Sequence, residues 1–346
     1  MSKKAGVPIL KSSHRKIALV SGAQKYRDLR IEVSEAGILD RDYFYYGSLI
    51  IISLLGFFFS CFLLLFELRT ILAPVFLVCF LFFSIQLSGL FHDAGHRAIF
   101  KSARNNDILG YLIAFIANVS FSYWKYKHNK HHANPNEIDS DPDLDIPLFS
   151  YTTHKVQKNF FTRAMFKYQS YLYYPLGLFS LFYLRQLGLF YIKDNFKTLM
   201  LLEILAIAVS SFFWYVLPFI ILGPYAAMVF IVLTNFGVGV YLANIFAPNH
   251  KGMPQVEKGA KISFIEQQIN TARNVRSNWL LDILYVGLNY QIEHHLFPNC
   301  PRNKLGQITP YVKRLCREMK LDYTEAGVIE SNKIIVRELR KASLVA

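Results

Sequence analysis

Gln291-Ile292-Glu293-His294-His295 decides how this chain is read, and two earlier stretches answer it. They are His92-Asp93-Ala94-Gly95-His96 and His128-Asn129-Lys130-His131-His132, and together the three short boxes hold seven of the ten histidines. On a helix, positions i, i+3 and i+4 share a face. His92 and His96 are then expected to point together, as are His128, His131 and His132, and Gln291, His294 and His295. Three faces of neutral imidazoles make a nitrogen-rich pocket with room for more than one transition metal. A closed structural zinc site needs four ligands, fewer than the boxes offer.

Working outward, the 346 residues are 53% hydrophobic and 16% aromatic, with mean hydropathy +0.25. That composition excludes an ordinary soluble domain and predicts an all-α integral membrane protein. Residues 43–66 and 70–91 carry no charge, and each is long enough to cross a hydrocarbon core of about 30 Å. Only Glu67-Leu68-Arg69 separates them, which predicts a hairpin ending at the first box. Residues 108–124 are apolar but short and are read as a buried or re-entrant helix. Residues 160–192, broken by Pro175, are read as lying in the membrane interface. The uncharged run 204–249, punctuated by Pro218, Gly223 and Pro224, predicts two more spans at about 198–218 and 225–247.

Four spans put both termini on one side. Nine Lys and Arg fall between Lys3 and Arg41, and the turn at 219–224 has none. The positive-inside rule therefore predicts that the N-terminal segment 1–42, all three boxes and the tail 301–346 are cytosolic. A helical cytosolic cap, including a helix-like Trp279 to Tyr290, carries the metal site. The formal charge of +14 is assigned to the anionic membrane surface and not to nucleic acid, since no basic arm is present. Cys61, Cys79, Cys300 and Cys316 form no CxxC, which argues against a disulfide framework or zinc ribbon. The alternating Asp139, Asp141, Asp143 and Asp145 lack the glycine and distal glutamate of a calcium loop.

HDAGH, HNKHH and QIEHH, in this order relative to these spans, resemble the three histidine boxes of the membrane fatty acid desaturases. GLNYQIEHHLFP at 287–298, the following PRNKL, and APNHKG at 247–252 resemble the same family, and the likeness covers roughly 40–320. Residues 43–300 are then the membrane desaturase domain. The resemblance implies a non-haem di-iron enzyme that uses O2 and two electrons to place a double bond in an acyl chain, carried as acyl-CoA or acyl-lipid. It implies His92, His96, His128, His131, His132, His294 and His295 as iron ligands, with His250 as a further one and no catalytic residue beyond the metal centre. Many members begin the third box with His; Gln291 resembles the variant of front-end and some bacterial acyl desaturases. Gln291 is read either as a ligand through its amide oxygen or water, or as support for the ligands. Asn244 or Asn249 is expected to hold a metal-bound water. Asp93 and Glu293 are read as acceptors for imidazole N–H groups, or else as surface charges.

No HPGG haem motif occurs, so electrons are expected from a separate donor of ferredoxin or cytochrome b5 type. The expected setting is the bacterial inner membrane or the endoplasmic reticulum. Rival readings are a related lipid hydroxylase and, from another class, a membrane metal transporter or receptor. A transporter should carry ionisable groups at mid-membrane depth, and these spans are nearly free of them. His14 and His154, outside any box, read as ordinary surface histidines.

Overall fold

The computed structural model describes residues 7–11, 16–145, 149–150, 160–198 and 200–344, with side chains from Gly22 onward in the first helix; His14 and His154 lie outside the described residues. The protein is all-α, 72% helical and without a closed sheet among the described residues. The order begins β1 (Ile9–Leu10), α1 (Lys16–Glu35), α2 (Tyr43–Glu67), α3 (Ala73–Gly95), α4 (Ala103–Ala117) and α5 (Phe121–Ala133). Next come α6 (Phe160–Gly177), α7 (Ser180–Asp194), α8 (Met200–Ser211), a π-helical turn (Phe212–Val216), α9 (Leu217–Leu222) and α10 (Pro224–His250). The remainder is β2 (Gln255–Val256), α11 (Phe264–Asn270), β3 (Asn274–Val275), α12 (Trp279–Leu284), α13 (Gln291–Leu296), α14 (Leu305–Met319), β4 (Glu325–Ala326) and α15 (Val328–Ser343). Two compact units share these elements: an apolar one, Arg41–Tyr126 with Gly177–Ala243, and a polar one, Met1–Asp40, Lys127–Leu176 and Asn244–Ala346.

In the apolar unit, Asp42 caps α2 by accepting the Tyr45 N–H at 3.0 Å, and Pro74 starts α3 where no N–H is needed. Phe57, Leu64, Phe80, Leu90, Phe121 and Phe230 are among its core residues. The outward faces are as apolar as the core. Only 22% of the most hydrophobic window of α2 is buried, and 11% of that of Met200–Leu222, which fits lipid as the solvent. Among the described residues, four helices are long and apolar enough to cross a membrane, Tyr43–Glu67, Ala73–Gly95, Met200–Leu222 and Pro224–His250, or up to six if each of two bent helix pairs counts as one span.

Some boundaries differ from the sequence reading. The third span does not stop at Pro218. The π turn shifts the hydrogen-bond register just before that proline, which occupies the start of α9, and the helix continues to Leu222. Pro175 does not break its helix either. It sits in the last turn of α6, and the chain breaks only after Gly177.

Residues 108–124 do not form one straight helix. α4 and α5 meet at 112°, and Asn118 ends α4 in the left-handed conformation, φ +55°. Opposite charges fit the two exposed helix ends there. Arg185 donates to the Ala117 and Asn118 carbonyls at 3.0 and 2.9 Å. Buried Glu203 accepts from Ser120 Oγ and the Ser122 N–H at 2.9 and 3.1 Å. Cation at a helix C-terminus and anion at an N-terminus both match the macrodipole, so the bend that launches α5 is fixed.

The polar unit is tied by two short parallel pairings, Ile9 with Gln255 and Asn274 with Glu325. Ile265, Ile269, Ile292, Leu296, Ile308 and Val312 lie at its core. The helix expected over 279–290 ends at Leu284. Val286 and Gly287 turn left-handed at φ +50° and +81°, and a Cβ at Gly287 would stand 2.9 Å from that of Arg302. Glycine is what lets the chain re-enter as α13, every residue of which is buried.

Candidate metal centre

α5 sorts its histidines instead of presenting them as one face. Successive helical residues turn by about 100°, so His128 and His132 differ by about 40° while His131 lies about 60° to the other side. His128 and His132 bring their Nε2 atoms to 3.1 Å, and His294 Nε2 is 3.2 Å from that of His132. His131 joins a different group: its Nε2 lies 3.3 Å from that of His250, which lies 2.9 Å from that of His295. His294 and His295, adjacent on α13, divide between the groups in the same way.

The group of His131, His250 and His295 is wholly buried, and each ring is held by its other nitrogen. His131 Nδ1 faces both Asp141 oxygens at 3.0 Å. His250 Nδ1 reaches the Thr271 carbonyl at 2.9 Å, and His295 Nδ1 reaches Gln268 Oε1 at 2.7 Å. A carbonyl or amide oxygen accepts only, so Nδ1 carries the proton in the neutral rings of His250 and His295. With His131 in the same tautomer, the Nε2 lone pairs of His131 and His295 face that of His250 at 3.3 and 2.9 Å, with no proton among the three rings to share. A bound cation resolves that repulsion, and three imidazole nitrogens suit a transition metal such as iron. These residues fit the metal that the boxes imply.

Asp141 was not recognised as part of the site. It lies ten residues after His131, with its side chain buried, and its oxygens also accept the Asn136 and Asp143 N–H groups at 2.8 Å. Burial opposes protonation of His131, but Asp141 and Asp143 outweigh it and hold the imidazole pKa above its ordinary value. A carboxylate on Nδ1 makes Nε2 a stronger donor to metal. The only signal in the sequence was the run of alternating acids. Gln268 and the Thr271 carbonyl had none.

In the apolar unit, His92 and His96 sit side by side at the end of α3, ring centroids 4.7 Å apart. Asp93 is buried there, 3.2 Å from His92 Nδ1, and accepts the Tyr46 hydroxyl at 2.8 Å.

Glu293 is not a surface charge either. It is buried and takes hydrogen bonds from Tyr323 Oη at 2.6 Å and Asn274 Nδ2 at 2.7 Å. Burial raises its pKa and these donors oppose the rise; burial and the neighbouring carboxylate push the Tyr323 phenol up as well. Asn274 Oδ1 accepts the Ile292 N–H at 2.8 Å, so this network fixes α13 and the two histidines that follow Glu293. Gln291 lies against the nest: its amide is 2.9 Å from His250 Nε2 and accepts from Asn249 at 2.8 Å. Asn244, half-buried, is farther back on α10.

Residues 68–327 match the fatty acid desaturase family. The chain is 30% identical to an acyl-lipid (9-3)-desaturase of Borago officinalis, over 94% of this chain and 76% of that protein. It is 29% identical to a Delta 8-(E)-sphingolipid desaturase of Emericella nidulans, over 91% and 61%. A Delta(5) fatty acid desaturase of Caenorhabditis elegans is 27% identical over 87% and 69%. The chain thus spans only part of the length of each relative. With the box motifs, the helical fold and the clustered imidazoles already in place, the match over 68–327 shows that this chain belongs to the fatty acid desaturase family of membrane oxidoreductases.

Proposed function

We propose that the protein converts –CH2–CH2– in a lipid-borne acyl chain to –CH=CH–, with O2, two electrons and two protons giving two waters, at a pair of histidine-bound irons. The observation that carries this is the nest of His131, His250 and His295, in which His250 Nε2 faces those of His131 and His295 at 3.3 and 2.9 Å. In this reading His131, His250 and His295 hold one iron. His128, His132 and His294 belong to the other, and the first-box resemblance adds His92 and His96 as ligands. The irons supply the redox chemistry with O2 that an unactivated C–H bond requires.

Asp141, Gln268 and the Thr271 carbonyl keep each Nδ1 protonated and each Nε2 turned inward. Turning the Gln291 and Asn249 amides by half a turn sets Gln291 Oε1 beside His250 Nε2, where it completes the shell. Asn249 Oδ1, buried and without a partner among the described residues, then receives the Gln291 N–H. Asn249 is the better placed of the two asparagines to hold a water there.

An acyl-lipid substrate is favoured over acyl-CoA by the names of the borage and Emericella relatives, and apolar helix faces suit a substrate that arrives through the bilayer. The charge asymmetry supports cytosolic boxes and termini. The basic surface suits a separate acidic electron donor, ferredoxin or cytochrome b5. The test is expression in a host of defined lipid composition, with mass spectrometry of the acyl chains. A product two hydrogens lighter with a locatable double bond is expected; a product heavier by one oxygen makes the protein a hydroxylase.

A further inference from the structure

Arg273 is fully buried and lies outside every histidine box. Its guanidinium donates through Nη2 to the carbonyls of Pro248 and, at 3.1 Å, Lys251. Nη1 lies 3.8 Å from the Met253 sulfur, and the Arg273 backbone N–H donates to the Asn249 carbonyl at 2.8 Å. These carbonyls surround His250 on the last turn of α10, where a helix has no N–H groups of its own left to give. Two residues earlier, the Thr271 carbonyl takes the His250 Nδ1 proton. One three-residue stretch therefore holds both the backbone on either side of His250 and its ring. A cation is suited to a helix C-terminus, and a planar fork can reach two carbonyls where an ammonium reaches one.

We propose that Arg273 is a positioning residue for the nest: it fixes the end of α10 so that His250 Nε2 meets those of His131 and His295, and so governs one of the two metals and not the other. This rests on the two-iron reading above. The substitutions are R273Q, which removes the charge and the fork, and R273K, which keeps the charge alone.

The test is anaerobic titration of purified, metal-stripped protein with ferrous iron, with metal retention measured after desalting. The unaltered protein should take up two equivalents. R273Q should take up one with ordinary affinity and bind the second about tenfold or more weakly, the usual range for loss of a residue that orients a ligand. R273K should fall between the two, and serves alone if R273Q does not accumulate. Two equivalents with unchanged affinity in R273K overturns the proposal, as does parallel loss of both equivalents in a monodisperse variant. If the unaltered protein binds no iron, it is the two-iron reading that fails.

Discussion

His131, His250 and His295 are all buried, whereas of His128, His132 and His294 only the last is closed off and the other two are half-buried. The difference shows what burial demands of an imidazole placed where it could bind metal. A ring out of reach of solvent needs a protein partner for each nitrogen. The nest provides a carboxylate, a main-chain carbonyl and a side-chain amide, one to each Nδ1. Its geometry is therefore set before metal arrives. The half-buried group is reachable by solvent, so its metal is expected to exchange more readily.

The largest effects should come from removing a nitrogen from either group. H131A, H250A, H295A, H128A, H132A and H294A should each abolish desaturation, while the protein still inserts, because the uncharged spans set insertion. The comparison sharpens in metal content: nest variants should lose iron that mild chelation does not remove from the unaltered protein. Normal activity per inserted molecule in any of the six would break the grouping.

A smaller effect is expected one bond further out. D141A leaves His131 Nδ1 buried without its acceptor and should lower iron affinity or activity about 10- to 100-fold. D141N keeps an acceptor oxygen and the shape of the carboxylate, and should fall less. Equal iron affinity in D141A and the unaltered protein would show that the carboxylate does not orient the ring.

The smallest of the three series concerns Gln291. Q291L should lose most activity and part of the iron, and Q291H should keep both, because imidazole can take the place of the amide beside His250. Full activity in Q291L moves this residue to packing. The half-buried group should retain its iron in either variant.

Much of this was legible in the sequence because hydrophobic length and histidine spacing act locally. The uncharged runs marked the spans, and the box histidines marked where the imidazole clusters form. His250 was legible only through the resemblance of APNHKG, and the structure puts it on the last turn of α10 against His131 and His295. What spacing alone could not reveal is that α5 splits its three histidines between two groups. That follows from where α13 and the end of α10 are anchored. Gln268 and Arg273 were invisible for the same reason, and Asp141 showed only as one of the alternating acids: each acts on a partner brought near by folding. The proline boundaries differ because Pro218 stands in the first turn of α9 behind a π turn, where its missing N–H is not needed, and because α6 runs two residues past Pro175.

Gently purified protein, analysed for metal by elemental analysis beside its measured protein concentration, tests the sorting of histidines into two iron-binding groups most directly. Two irons per chain are expected, one of which chelator removes well before the other. An active preparation that reproducibly carries a single zinc and no iron would contradict it.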